Sequence, residues 1–193
     1  METLVSLGRT LGFSLTSGVN LYATVAILGL AAKYDWVDLP PQYDAFAADW
    51  IIGLALLLYA IEFIADKIPW VDSMWDTVHT FVRPLGGAIV ASTTLGEASA
   101  TFEILTALVG GAVAASSHFT KASTRVAANT SPEPFSNWAL SFLEDAFVIG
   151  LGLVALKYPV AALIITVAIL VVIAMAVRWI VRKLRGVGRP AAA

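Results

Sequence analysis

Long runs of apolar residues alternate along the chain with short polar or proline-containing segments. A membrane-spanning helix needs about 20 mostly apolar residues. Prolines fall between several of these runs, where they end helices. The pattern therefore predicts about six transmembrane helices, over residues 3–32, 48–66, 80–96, 101–125, 138–157 and 159–181.

The first run is unusually long for one span. As a single helix, residues 3–32 would measure about 45 Å, against a hydrocarbon core of about 30 Å. Its middle contains Ser17, Gly18 and Asn20, which are candidates for a helix break. We expect at least one interrupted or re-entrant helix here. The alternative is a tilted continuous helix whose hydroxyls bond back to its own carbonyls.

Composition supports a membrane location. Of the 193 residues, 59% are apolar and only 13% are charged, whereas about 25% of residues in a soluble domain are charged. The chain has no cysteine, which excludes disulfides and thiolate metal sites. We expect an all-α membrane protein with a single integral membrane domain over residues 1–185. Residues 186–193 form a basic tail, expected to be disordered and cytoplasmic.

Charges between the runs are distributed unevenly, and lysine and arginine favour cytoplasmic loops. The C-terminal segment is basic and should be cytoplasmic. Counting back through six spans places the N-terminus and most other basic residues on that side, with Lys33 and Lys157 outside. The chain should thus cross the membrane several times with both termini cytoplasmic. Three spans per half are also what an inverted repeat requires, although the halves do not align convincingly.

Charged residues and both histidines collect near the cytoplasmic ends of predicted helices two to five. Four carboxylates face four permanent cations, and their spacing places several of them one turn apart on one helix face. An unpaired charge in hydrocarbon is costly, so these groups should face inward and pair. The candidate substrate- or ion-binding residues are Glu62, Asp66, Lys67, His79, Arg83, His118, Lys121, Arg125, Glu144 and Asp145.

Three interpretations of this constellation remain open. The groups could be structural ion pairs, with the longer basic side chains snorkelling to the interface. Intramembrane carboxylates near histidine are also typical of a proton relay or cation path. A basic, partly buried pocket could instead hold a lipid phosphate.

Several classes of function lack any supporting motif. The sequence contains no G-x-S-x-G, no H-E-x-x-H and no P-loop. Its two histidines lie on different predicted helices, which makes a weak metal site. We predict that the protein is not an enzyme, needs no metal or cofactor, and binds no nucleic acid.

Three stretches together resemble the bacterial membrane family known as domain of unknown function 4126. They are SGVNLYATVAILGLAAKY, EFIADKIPWVDSMWDTVHTFVRPLGGA and SSHFTKASTRVAANTSPEPFSNWALSFLEDAF. The resemblance covers roughly residues 10–155 and is most specific at Asp66–Pro69, Arg83-Pro84, Thr124-Arg125, Ser131–Asn137, Ser141 and Glu144-Asp145. It implies a multi-pass protein of the bacterial inner membrane and no established activity.

We predict a small secondary transporter or lipid translocase. Glu62, Asp66, Glu144 and Asp145 would carry protons or cations, while Arg83, Lys121 and Arg125 would balance them or hold an anionic substrate. The alternative is a non-transporting scaffold or assembly factor, or a channel that would need a homo-oligomer. The expected partners are the lipid bilayer and an anionic lipid or small-molecule substrate.

Overall fold

The computed structural model describes residues 1–96, 98–130 and 135–187, and within these it is helical with no β-strand. These residues form seven α-helices and one 3₁₀ helix, Pro41–Phe46. The α-helices are α1 Glu2–Val19, α2 Leu21–Lys33, α3 Asp49–Ala65, α4 Pro69–Leu95, α5 Ala100–Asn129, α6 Phe135–Lys157 and α7 Pro159–Val187.

The polar stretch in the first run interrupts the helix at one residue. Asn20 separates α1 from α2 and has an extended backbone, with φ −149° and ψ 100°. Its side-chain oxygen accepts a hydrogen bond from the Ala23 N–H at 2.9 Å, which caps α2. Ser17 and Gly18 remain in α1, where the Ser17 hydroxyl donates to the Phe13 carbonyl. The break is therefore narrower than the predicted segment.

Helices α1 and α2 form a hairpin whose tip, at Asn20, lies inside the bundle. Arg9, near the start of α1, donates to the Asp38 carbonyl just beyond α2. Gly29, near the end of α2, packs against the Phe46 carbonyl in the same connection. The two outer ends thus lie on one side. The predicted single span over residues 3–32 is wrong, because α2 returns to the end from which α1 began.

Helices α4 and α5 form a second, tightly packed antiparallel hairpin. Gly87 packs against Ala114, and Gly110 packs against Ala91. Residues this small let two helix backbones approach closely in a membrane, where hydrophobic burial does not drive helices together. The third predicted span also gains an N-terminal extension, because α4 begins at Pro69 and not at residue 80.

Helix α1 lies at the centre and packs against α4, α5, α6 and α7. The apolar core is built from its inner residues and those of its neighbours, including Phe13, Leu15, Leu28, Val90, Val113, Val148, Leu151 and Leu156. Many large apolar side chains remain exposed on the outer helix faces. In the part of the chain that the structure describes, three helices are long and apolar enough to cross a membrane, namely Ala100–Asn129, Phe135–Lys157 and Pro159–Arg185.

The bundle has two distinct ends. The Arg9 end carries the start of α1, the connection from α2 to α3, the link from α4 to α5 and the turn from α6 to α7. The opposite Asp66 end carries the turn from α3 to α4 and the C-terminal half of α7, where Ile180 and Thr124 line the same groove. The start of α1 and the end of α7 thus lie at opposite ends of the bundle, which gives no support to the predicted placement of both termini on one side.

Two further predictions concern the chain beyond this core. The predicted tail over 186–193 begins inside α7, which continues to Val187, and the rest of it lies outside the described residues.

Within the described part of the chain, α4 to α7 are continuous helices with no counterpart of the α1–α2 hairpin. This gives no support to the predicted inverted repeat.

Candidate functional site: a buried charge cluster

Charged side chains from four helices meet near the hairpin tip, and we refer to them as the charge cluster. It joins six of the predicted site residues in one network of ion pairs and adds two aspartates from the start of α4. Its members are Glu62, Asp66, Asp72, Asp76, Arg83, Lys121, Arg125 and Glu144.

Arg83 of α4 is completely buried and links three helices. Its guanidinium lies 2.6 Å from Glu62 Oε1 on α3 and 3.2 Å from Asp76 Oδ1, which is two turns earlier on its own helix. It also donates to Nδ1 of His118 on α5 at 2.9 Å and to the Gly18 carbonyl of α1 at 3.5 Å. A buried guanidinium with this many acceptors fixes the relative position of the helices around it.

Lys121 of α5 lies at the centre of the cluster. Its ammonium is 3.0 Å from Asp66 Oδ2, 3.3 Å from Glu62 Oε1 and 3.4 Å from Glu144 Oε2. It donates a further hydrogen bond to the Val19 carbonyl at 3.3 Å. One cation is therefore shared among three carboxylates from two helices and the turn after α3.

Arg125, one turn further along α5, ties α6 to the turn between α3 and α4. It binds Glu144 through Nε and a terminal nitrogen, the latter 2.5 Å from Oε2. It also contacts both the carboxylate and the backbone carbonyl of Asp66, at 3.0 and 2.9 Å. The side-chain oxygen of Asn137 also accepts a hydrogen bond from the Arg125 guanidinium at 2.8 Å.

The helix break supplies acceptors to this network. The last carbonyls of a helix have no partner within the helix and carry the negative end of its dipole. In α1 the carbonyls of Gly18 and Val19 accept from Arg83 and Lys121. The hairpin tip is therefore held by two buried cations.

The two histidines among the predicted site residues lie beside the charge cluster, and both ring nitrogens of each are within hydrogen-bond distance of a partner. Because Arg83 can only donate, His118 accepts through Nδ1 and carries its proton on Nε2, 3.1 Å from the Thr80 hydroxyl. His79 has Nδ1 2.7 Å from the Trp75 carbonyl and Nε2 2.9 Å from the Tyr22 hydroxyl. Each arrangement suits a neutral imidazole.

Lys67 and Asp145 lie close to the cluster without an ion pair to it among the described residues. The Lys67 ammonium lies 3.1 Å from the centre of the Phe63 ring and 3.2 Å from the Ser141 hydroxyl. Asp145, one helical turn after Ser141, is buried with only 7% exposed. Within the described part of the chain, its Oδ2 has no hydrogen-bond donor.

The candidate list from sequence missed Asp72 and Asp76, although their spacing gave a signal. With His79 and Arg83 they recur at i, i+4, i+7 and i+11, which is one face of a helix. Asp72 precedes the apolar part of α4 and accepts from the Asn129 side chain at 2.9 Å.

Carboxylates outnumber cations in and beside the charge cluster. Counting Asp145 and Lys67 with it, six carboxylates face four permanent cations, a formal excess of two negative charges if all are ionised. Several buried carboxylate oxygens also lack a hydrogen-bond donor within residues 1–96, 98–130 and 135–187, namely Glu62 Oε2, Asp66 Oδ1, Asp72 Oδ1, Asp76 Oδ1 and Asp145 Oδ2. No group of three or more His, Asp or Glu side chains in those ranges is placed to hold a metal ion.

A cavity of about 280 Å³ reaches the cluster between α1, α5, α6 and α7. Lys121 and Glu144 lie in its wall, and most of the other lining residues are apolar. Glu144 is the most exposed residue of the charge cluster. Its side chain is 15% accessible, against 2% for Lys121 and 1% for Arg125.

Among the described residues, three apolar helices of membrane length beside a buried ionic network suggest a membrane protein. The chain belongs to the family described as "Domain of unknown function (DUF4126)", whose model matches residues 7–179. The match includes most of α7, which the resemblance over residues 10–155 had left out. The resemblance was also specific at Ser131–Asn137, and residues 131–134 of that segment lie outside the described residues. No curated protein matches the chain, and no solved structure matches it.

Proposed function

We propose that the protein is a small secondary transporter whose charge cluster carries protons or cations. The observation that carries this proposal is the position of the hairpin tip, where a helix break meets buried ion pairs. Broken helices are tolerated at membrane depth only where protein or water covers the freed backbone. Many transporters place such breaks at their binding site, where half-helix ends contact ions.

The roles follow from the contacts. Glu62, Asp66 and Glu144 share cations with one another, so a proton or cation that neutralises one carboxylate can be accommodated by its neighbours. Asp145 adds a buried carboxylate whose Oδ2 has no hydrogen-bond donor among the described residues. The excess of carboxylates over cations supports this assignment. Several uncompensated negative charges in a membrane interior are costly, and a bound proton or cation would neutralise one of them.

We propose five crossings, by the three candidate spans in α5, α6 and α7 and by α3 and α4 packed beside them, with the α1–α2 hairpin re-entering from the Arg9 end. We place the Asp66 end in the cytoplasm of a bacterial inner membrane, because α7 ends there with arginines and a lysine. The N-terminus then lies on the opposite side, with the acidic connection between α2 and α3.

A second candidate function is a non-transporting scaffold, which the density of ion pairs favours. Each buried cation already contacts two or more carboxylates, so the cluster can serve to tie helices together. The two functions differ in whether neutralising one carboxylate removes transport while the protein stays folded.

The test is proton flux into liposomes that contain the purified protein, followed with an internal pH dye under an imposed membrane potential. Wild type should acidify the lumen, and Glu62→Gln should abolish the flux while retaining wild-type helicity. Glu103→Gln is the matched control, because Glu103 is exposed in the first turn of α5. Equal flux in wild type and Glu62→Gln, or no flux in wild type with a range of candidate substrates, would overturn the proposal.

A further inference from the structure

The cavity that reaches the charge cluster opens between helices that can cross a membrane. Its rim includes the exposed residues Thr120 and Thr124 of α5 and Leu143 of α6. All three lie within the candidate spans Ala100–Asn129 and Phe135–Lys157. Under the proposed topology the mouth therefore faces the bilayer, and a ligand would enter sideways from the lipid.

The walls of this cavity are mostly apolar. Away from Lys121 and Glu144 they are formed mainly by Leu15, Val19, Leu140, Phe147, Ile169 and Ile173. The volume of about 280 Å³ falls just below the roughly 300–1,000 Å³ that is typical of small-molecule sites. The cavity therefore suits a small apolar body, such as a single alkyl chain.

The charged group that such a ligand would meet is a carboxylate. Of the two charged residues in the wall, Glu144 exposes 15% of its side chain and Lys121 only 2%. Among the described residues, only Arg125 donates a hydrogen bond to Glu144 Oε1. Because a carboxylate oxygen has two lone pairs, this oxygen can accept a second hydrogen bond. The inner end of the cavity therefore suits a ligand with a hydrogen-bond donor.

The balance of charge favours a donor that is a cation. Six carboxylates face four permanent cations in and beside the charge cluster, so a bound cation reduces the excess negative charge and a bound anion would increase it.

The cations of the cluster do not depend on Glu144 alone. Lys121 and Arg125 both also bind the Asp66 carboxylate, at 3.0 Å. Lys121 lies a further 3.3 Å from Glu62. The Glu144 side chain can therefore turn toward a ligand without leaving either buried cation unpaired.

We propose that the cavity binds an alkylammonium cation, whose ammonium group donates to the Glu144 carboxylate while its chain lies against the apolar walls. The proposal rests on the proposed transport function and names the class of substrate for the same site. A primary amine is protonated at neutral pH, as lysine is. A hydrogen bond between two charged groups is about twice as strong as one between neutral groups, so the site should select for the charge of the ligand as well as for its chain.

The test is retention of radiolabelled decylammonium by the protein in phosphatidylcholine nanodiscs, measured by equilibrium dialysis against protein-free nanodiscs of the same lipid. Decanol is the comparison probe, because it has the same chain and no charge. After correction for the amount dissolved in the lipid, wild type should retain decylammonium at least tenfold more tightly than decanol. Glu144→Gln should lose this preference while it binds decanol as wild type does. Glu103→Gln is the matched control, because Glu103 is exposed and does not line the cavity.

Leu143→Trp supplies a second variant, which tests entry from the bilayer. Because the indole would fill the mouth, retention of both probes should fall at least tenfold. Ile149→Trp should retain both as wild type does, because Ile149 is also exposed on α6 but does not line the cavity.

The proposal would be overturned by equal retention of the two probes in wild type, or by selective retention that survives Glu144→Gln or Leu143→Trp. Proton flux that persists without selective retention would remove the alkylammonium site alone and leave the transport function standing. Selective retention without proton flux would confirm the site and count against transport.

Discussion

Replacement of Arg83 by methionine should destabilise the folded protein more than any change at an exposed arginine. Methionine keeps most of the side-chain length and removes the charge. In the native protein the guanidinium is fully buried and contacts Glu62, Asp76, His118 Nδ1 and the Gly18 carbonyl. The substitution therefore removes the donor from buried acceptors on four helices.

The magnitude depends on what each former partner retains. Glu62 keeps Lys121 at 3.3 Å, so its carboxylate remains paired. Asp76 has no other cation within salt-bridge distance among the described residues, so its buried charge is orphaned. Removal of one partner of a buried ion pair costs about 3–5 kcal/mol. We expect the free energy of unfolding to fall by about that amount.

The assay is unfolding in mixed micelles by added SDS, followed through the fluorescence of the six tryptophans. Arg178→Met is the control, because Arg178 is exposed on α7 and should unfold within about 0.5 kcal/mol of wild type. Combining Arg83→Met with Asp76→Asn removes the orphaned charge and should recover about 1–3 kcal/mol. The reasoning is refuted if Arg83→Met costs less than about 1 kcal/mol, or if the double variant is as unstable as the sum of the single ones.

Three further predictions concern the hairpin. Gly18→Ala should destabilise by about 1–3 kcal/mol, because its Cβ would overlap α5, while Gly150→Ala, which meets open space, should be neutral or slightly stabilising in the same unfolding assay. Asn20→Ala should cost about 1 kcal/mol through loss of the cap on α2, and Asn20→Ser should restore most of it. Cysteines introduced at Thr3 and Lys183 should react with a membrane-impermeant thiol reagent from opposite sides, and labelling of both from one side would contradict the hairpin.

Most helix positions were predictable because proline and polar segments mark where apolar helices end. The predicted span over 48–66 matches α3, at Asp49–Ala65, within one residue at each end. Reversal of the chain at Asn20 was not predictable in the same way. A tilted helix, a broken helix and a hairpin share the same local pattern, and the choice between them is made by distant contacts such as Gly18 against α5.

Loop charges could not reveal this reversal either. Conversion of the first span into a hairpin moves only the N-terminal residues to the other side and leaves every later loop where six spans would place it. Those residues contain one acidic side chain, Glu2, and one basic side chain, Arg9, so they barely affect the distribution of lysine and arginine.

The site was more accessible to sequence analysis than its topology was. Charged residues inside apolar helices must pair, and their spacing shows which face they share. Glu62, Asp66, Lys121 and Arg125 could therefore be grouped from sequence alone, and the structure brings them into contact. The role of the hairpin tip was hidden, because backbone carbonyls leave no mark in the sequence.

The helix break at Asn20 and the charge cluster supply each other with hydrogen-bond partners. The break leaves the carbonyls of Gly18 and Val19 without helical partners, and Arg83 and Lys121 need acceptors in the interior. Any movement that withdraws the hairpin tip must therefore give both cations replacement acceptors. Under the proposed transport function, the carboxylate oxygens that lack donors among the described residues, on Glu62 and elsewhere in the cluster, would be those acceptors. The surplus of carboxylates would then let the hairpin move without leaving a buried cation unpaired, whereas the alternative, a scaffold with fixed ion pairs, would not need such a surplus.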